Sequence, residues 1–135
     1  MKKSSFFEES WIVVGEVIDD VWHGRLFSHR QGKPAEVDVS WRAVLSREER
    51  FGDVIGFLHT HPSGLLRPSA RDERTMEAWC SCFGKPLLCG ITAGKETEGF
   101  IFSADGFVPA KKTALFPTGR GRPRPTLIAF GMALK

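Results

Sequence analysis

The sequence predicts an α/β domain. Short runs rich in β-branched residues are separated by turn residues, two stretches carry apolar residues at helical spacing, and 135 residues suit one modest core. Residues 10–18 read as a strand, because Ile12, Val13, Val14, Val17 and Ile18 favour a pleated surface. Asp19 and Asp20 make a turn, and residues 21–29 alternate loosely as a second strand. Gln31, Gly32, Lys33 and Pro34 break that strand. Residues 37–40 read as a short strand, with Ser40 capping a helix over 41–50 whose apolar residues are Trp41, Val44 and Leu45. Residues 53–58 form a short apolar run, a buried strand that ends at His59.

A polar loop rich in Pro and Gly follows over 60–68. Ser69, with Asp72 three residues later, gives a variant of the capping-box spacing. Asp72 and Glu73 then sit in the first helical turn, where the helix dipole favours them. Met76, Trp79, Cys80 and Phe83 continue the helix, and Gly84, Lys85 and Pro86 stop it. Residues 87–92 read as a buried strand, 99–102 and 106–109 as strand pieces around a turn, 117–125 as a loop, and 127–132 as a last strand. Trp41, Trp79 and Phe83 are expected in the core, and His23 and His29 on a surface strand. Neither a repeat nor a domain boundary is apparent, so residues 1–135 are expected to form one domain with a basic C-terminal segment, 111–135.

Composition sets limits on function. Hydrophobic residues make up 41% and charged residues 26%, which is ordinary for a soluble globular chain. No run approaches the roughly 20 apolar residues of a membrane helix. Only Phe6 and Phe7 precede Glu8 and Glu9 as apolar residues after the basic start, which is too little for a secretory signal. Three cysteines cannot all pair, so a reducing, cytoplasmic setting is expected. Cys80, Cys82 and Cys89 read as buried thiols, since Cys-x-Cys in a helix splays its sulfurs apart. The net charge is +3, and no acidic residue follows Asp105. Phe116 and Phe130 bracket the arginines at 120, 122 and 124 rather than interleaving with them, so a nucleic-acid partner is not expected.

The informative segment is His59-Thr60-His61-Pro62, followed by Ser69 and Asp72. Histidines at i and i+2 leaving a strand project to the same side. Asp72 opens the next helix, and a short loop can fold it back toward them. Two imidazoles and one carboxylate with an open fourth position suit a catalytic zinc ion. The competing reading is a hydrogen-bonded histidine pair beside a capping aspartate.

His-x-His-Pro, six residues, Ser, two residues, Asp resembles the zinc motif of the JAMM/MPN+ metalloproteases, without gap or substitution. The resemblance covers roughly residues 8–110. It implies a cytidine-deaminase-like core, a mixed curved β-sheet flanked by helices. It implies Zn2+ as cofactor, held by His59, His61 and Asp72, and Ser69 as donor to the oxygen of the tetrahedral intermediate. It also implies an upstream Glu as general base, followed at seven positions by Gly. Glu8 and Gly15 fit that spacing, with Trp11 where the family has a small residue. Glu9 and Glu16 are the other candidates for the base. The family carries a helix before this Glu. Only seven residues precede Glu8, so the expectation is a minimal version or a truncated start, its missing layer covered by a homodimer partner.

By the same resemblance, the reaction is cleavage of an isopeptide or peptide bond after the C-terminus of a ubiquitin-like protein. Such a tail is extended and would add as a strand beside a sheet edge near the metal. Short bacterial relatives work beside activating and conjugating enzymes, including in antiphage defence. The short loop between Pro62 and Ala70 leaves no room for the insertion that sets linkage choice in eukaryotic relatives. Other relatives act on sulfur-carrier proteins, cell-wall peptides or small-molecule amides, and some are non-catalytic interaction domains.

Overall fold

Ile12, Val13 and Val14 are all fully buried, yet they alternate between two different apolar clusters. That alternation shows a strand with protein on both faces. The computed structural model describes residues 8–32, 41–115 and 127–132. The expected strand at 37–40, the Ser40 cap, the loop at 117–125 and most of the basic segment lie outside them.

β1 (Glu8–Ile18) turns through Asp19 and Asp20 into β2 (Val21–Gly32). Both aspartates have positive φ, 53° and 63°, as a two-residue hairpin turn of matching twist requires. α1 (Trp41–Phe51), β3 (Val54–Thr60), α2 (Ala70–Phe83) and β4 (Leu87–Ala93) follow. β5 (Glu96–Ser103), β6 (Gly106–Leu115) and β7 (Leu127–Met132) complete the described chain. β3 and β4 run parallel, with α2 as the crossover that parallel neighbours need.

The seven strands close into a barrel in the order β1-β2-β7-β6-β5-β4-β3. This corrects the expected mixed curved β-sheet flanked by helices, since the sheet is closed. The cause is β7, which pairs along β2 through Val21–Arg25 and along β6 through Ala110–Leu115. Register shifts in β1 against both neighbours, and in β6 against β7, add the bend that closure demands.

Closure divides the core in two. Val13, Trp22, Ile55, Leu58, Leu88, Ile101, Ala110 and Phe130 come from strands alone and fill the barrel interior. The second cluster joins Val44 of α1 and Met76 and Cys80 of α2 to Ile12, Val54, Phe57, Cys89, Ile91 and Phe102. Both helices therefore lie on the outer wall. Phe130 is fully buried against Gly99, where a Cβ would come within 2.5 Å of its ring. Phe130→Ala should destabilise the fold by about 3–5 kcal/mol in a urea titration. A loss below about 0.5 kcal/mol, the range of a surface change, would contradict the closed barrel.

Trp41 is 57% exposed rather than in the core. It precedes the buried stripe of α1, and the Arg42 guanidinium lies 5.0 Å from its ring. Trp79 and Phe83 are partly buried, with the Trp79 ring tilted against Phe57 at 5.8 Å and against Phe83 at 5.2 Å between centroids. Cys80 and Cys89 are buried, whereas Cys82, two residues along the helix, is exposed. Burial pushes the Cys80 thiol up to about 11 and holds Cys89 well above its usual range, so both stay protonated.

α1 is held to the wall by a bidentate pair. Arg47 Nε and Nη2 donate to the Asp53 carboxylate at 2.9 and 2.6 Å. The guanidinium also lies 4.6 Å from the Phe27 ring and 4.1 Å from that of Phe51. The hydrogen bonds from Arg47 hold the Asp53 carboxyl below its ordinary value. A lowered folded-state pKa adds stability above the unfolded value, about 3.9, that is lost as pH falls through the folded one. Asp53→Asn should therefore lower stability at neutral pH and flatten its acid-side decline. An unchanged slope in denaturation curves below about pH 4 would contradict the pair's contribution.

Candidate metal centre

The centre forms where β3 ends and α2 begins. Ile12 pairs with Phe57 and Ser10 with His59 across β1 and β3, so His59 stands on the wall face that the helices cover. Its neighbour on β4 is Ile91. The His61 backbone N–H donates to the Thr92 carbonyl at 3.0 Å, extending the β3–β4 pairing past the strand end. That keeps His61 in step with His59, two residues earlier. Gly64 then turns the chain with φ 87°, its N–H donating to the His61 carbonyl at 3.0 Å.

Asp72 arrives from the other direction. Ser69 is the N-cap of α2, and the capping box is complete. The Asp72 N–H donates to Ser69 Oγ at 3.1 Å, and the Ser69 N–H donates to Asp72 Oδ2 at 2.9 Å. Asp72, Met76 and Cys80 follow at i, i+4 and i+8, the stripe that α2 turns to the barrel wall. One residue thus caps the helix and meets both histidines.

The donor atoms converge tightly. His59 Nε2 lies 3.0 Å from His61 Nε2 and 3.2 Å from Asp72 Oδ1, and His61 Nε2 lies 3.1 Å from Asp72 Oδ2. The side chains keep 11–19% of their exposure, so the centre is open on one side. His61 Nδ1 lies 2.7 Å from the Leu65 carbonyl. A carbonyl only accepts, so this nitrogen carries a hydrogen, and Nε2 is the ring nitrogen turned to the centre. Burial raises the Asp72 carboxyl, but hydrogen bonds from His59 and His61 outweigh it and hold the group well below the usual carboxylate range. Two ring nitrogens and a carboxylate meet there at 3.0–3.2 Å, a spacing that shared hydrogens or a shared metal ion can bridge.

The three edges are compatible with a shared metal ion. Ligands about 2.0 Å from a tetrahedral zinc ion stand about 3.3 Å apart, close to the 3.0–3.2 Å edges found here. Among the described residues, His59, His61 and Asp72 form the group able to hold an ion. They fit zinc, with one tetrahedral position left open.

The candidates for the base separate along β1. Glu8 is its first residue, paired with Gly32 and two positions before Ser10, hence at the same strand parity. Glu9 has the opposite parity, and its N–H donates to Thr60 Oγ1 at 2.9 Å. Glu16 is exposed and pairs with His23. It lies six residues beyond Ser10, about 20 Å along the strand, and so is too far to serve this centre. One contributor was not read from the sequence: Leu65 acts through its carbonyl, which leaves no side-chain signal.

The cluster matches the JAMM zinc-protease motif geometry. No curated protein and no solved structure matches the chain. The family model for prokaryotic homologs of the JAB domain does match, over residues 5–105. The chain therefore belongs to the prokaryotic JAB family, within the MPN group, and carries that group's metal-binding triad.

Proposed function

We propose that this chain is a zinc-dependent isopeptidase or peptidase that cleaves after the C-terminus of a ubiquitin-like protein. The observation that carries the reading is the convergence of His59, His61 and Asp72 at the mouth of β3, with Ser69 beside them. Zinc held there by His59, His61 and Asp72 would supply a Lewis acid for the amide carbonyl and would lower the pKa of a bound water toward about 7. Ser69 Oγ acts as an acceptor within the capping box. Its own proton is left to donate to the carbonyl oxygen as charge builds there. Glu8 carries a proton from the attacking water to the leaving amine nitrogen. Leu65, 49% exposed beside His61, offers a bound peptide an apolar contact.

The barrel alters how the substrate reaches the centre. At His59 the strand is paired on both sides, with Ser10 and with Ile91, so the sheet edge expected beside the metal is absent there. The extended tail must cross the rim of the barrel over the 61–69 loop. The partners proposed are a ubiquitin-like protein or its conjugates and the activating and conjugating enzymes that make them, in the cytoplasm. Among the described residues, no helix is long and apolar enough to cross a membrane.

The test follows the intact mass of a ubiquitin-like protein with a C-terminal amide-linked extension, incubated with the zinc-loaded chain and with the chelated chain. The reading expects release of the extension with zinc alone. Equal release after chelation, or none from a panel of prokaryotic ubiquitin-like proteins, would overturn it.

A further inference from the structure

Two side-chain polar atoms among the described residues are buried without a hydrogen-bond partner, Ser10 Oγ and Trp22 Nε1. Trp22 belongs to the barrel interior. Ser10 does not. It is 4% exposed and directly opposes metal ligand His59 across β1 and β3. Directly opposed residues hold their Cβ atoms about 4.5–5.5 Å apart, which leaves a serine hydroxyl and the near nitrogen of an imidazole close enough for one water to join them. The residue flanking His59 on the other side is Ile91, which has no polar side-chain atom.

His59 turns Nε2 toward His61 and Asp72. Nδ1 is therefore the nitrogen left to be fixed. A ligating imidazole donates its other N–H to an outer acceptor, which sets the tautomer and the ring orientation. His61 has that acceptor in the Leu65 carbonyl, at 2.7 Å. His59 needs an equivalent, and Ser10 is a buried hydroxyl without a partner placed beside it.

We propose that Ser10 is the positioning residue for His59, its Oγ accepting the Nδ1 hydrogen through one ordered water. The inference rests on the metal reading of the triad. It gives β1 a role in the metal site as well as in the wall. Glu8 and Ser10, two residues apart, would then set the base and the first ligand from one strand.

The test measures zinc affinity by competition with a chelating dye for the unaltered chain, Ser10→Ala and Ser10→Thr. Histidine ring 15N spectra of the zinc-loaded proteins provide a second readout. Ser10→Ala should weaken zinc binding about 10- to 100-fold, and the His59 Nδ1 hydrogen should lose its protection from exchange while that of His61 keeps it. Ser10→Thr, which restores the hydroxyl, should recover both. Circular dichroism in chelator separates these effects from unfolding. Unchanged affinity and an unchanged His59 signal in Ser10→Ala would overturn the role of Ser10 and leave the metal site standing. An unaltered chain that takes up no zinc would overturn the metal reading itself.

Discussion

His61→Ala and Asp72→Ala are both expected to abolish stoichiometric zinc. Loss of an outer partner alone costs about 10- to 100-fold in metal affinity, and loss of a ligand should exceed that. The two variants should nevertheless differ in chelator. Outside the centre the His61 ring bonds the carbonyl of an exposed loop residue, whereas Asp72 also accepts the Ser69 N–H as part of the α2 cap. Asp72→Ala should therefore lose about 1 kcal/mol of metal-free stability, a typical cap contribution, while His61→Ala should lose little. Zinc should also stabilise the unaltered chain by about 2.7 kcal/mol at a free concentration one hundred times its dissociation constant, and neither variant should respond. Metal analysis and urea titrations with and without zinc check both parts. Full zinc in either variant would remove that residue from the ligand set.

Glu8→Gln should give the opposite pattern. Glutamine keeps the size of the side chain but cannot carry a proton, so hydrolysis should fall about 100- to 10,000-fold while zinc stays at one per chain. Glu16→Gln should change neither quantity, because Glu16 lies at the hairpin end of β1. The comparison uses initial rates together with metal content. Unimpaired turnover by Glu8→Gln would shift the role of base to Glu9, which belongs to the same strand end.

The site was more legible than the architecture, and the reason is range. His59, His61, Ser69 and Asp72 belong to one strand–loop–helix unit, where local spacing fixes parity, cap and helix face together. The choice among Glu8, Glu9 and Glu16 depended on how β1 pairs with β3, which no local pattern encodes. Barrel closure is non-local in the same way. Residues 127–132 read as a strand, but nothing in them names β2 and β6 as their neighbours. β6 also runs to Leu115, beyond the expected end at 109. Pro109 is tolerated inside it because the pairing with β5 includes Pro109 while that with β7 begins at Ala110, so the missing N–H has only one neighbouring strand to face. Trp41 was misplaced because helical spacing gives a face but not where along the helix its cover begins.

The central claim is that two imidazoles and one carboxylate of this chain hold a single zinc ion with a position open. Zinc K-edge X-ray absorption on the loaded protein tests it most directly. The account predicts a four-coordinate shell of nitrogen and oxygen at about 2.0–2.1 Å, with the outer-shell scattering of two imidazoles, and loss of one imidazole contribution in His59→Ala. Sulfur at about 2.3 Å, which would bring in Cys80, Cys82 or Cys89, or a spectrum unchanged by His59→Ala, would contradict it.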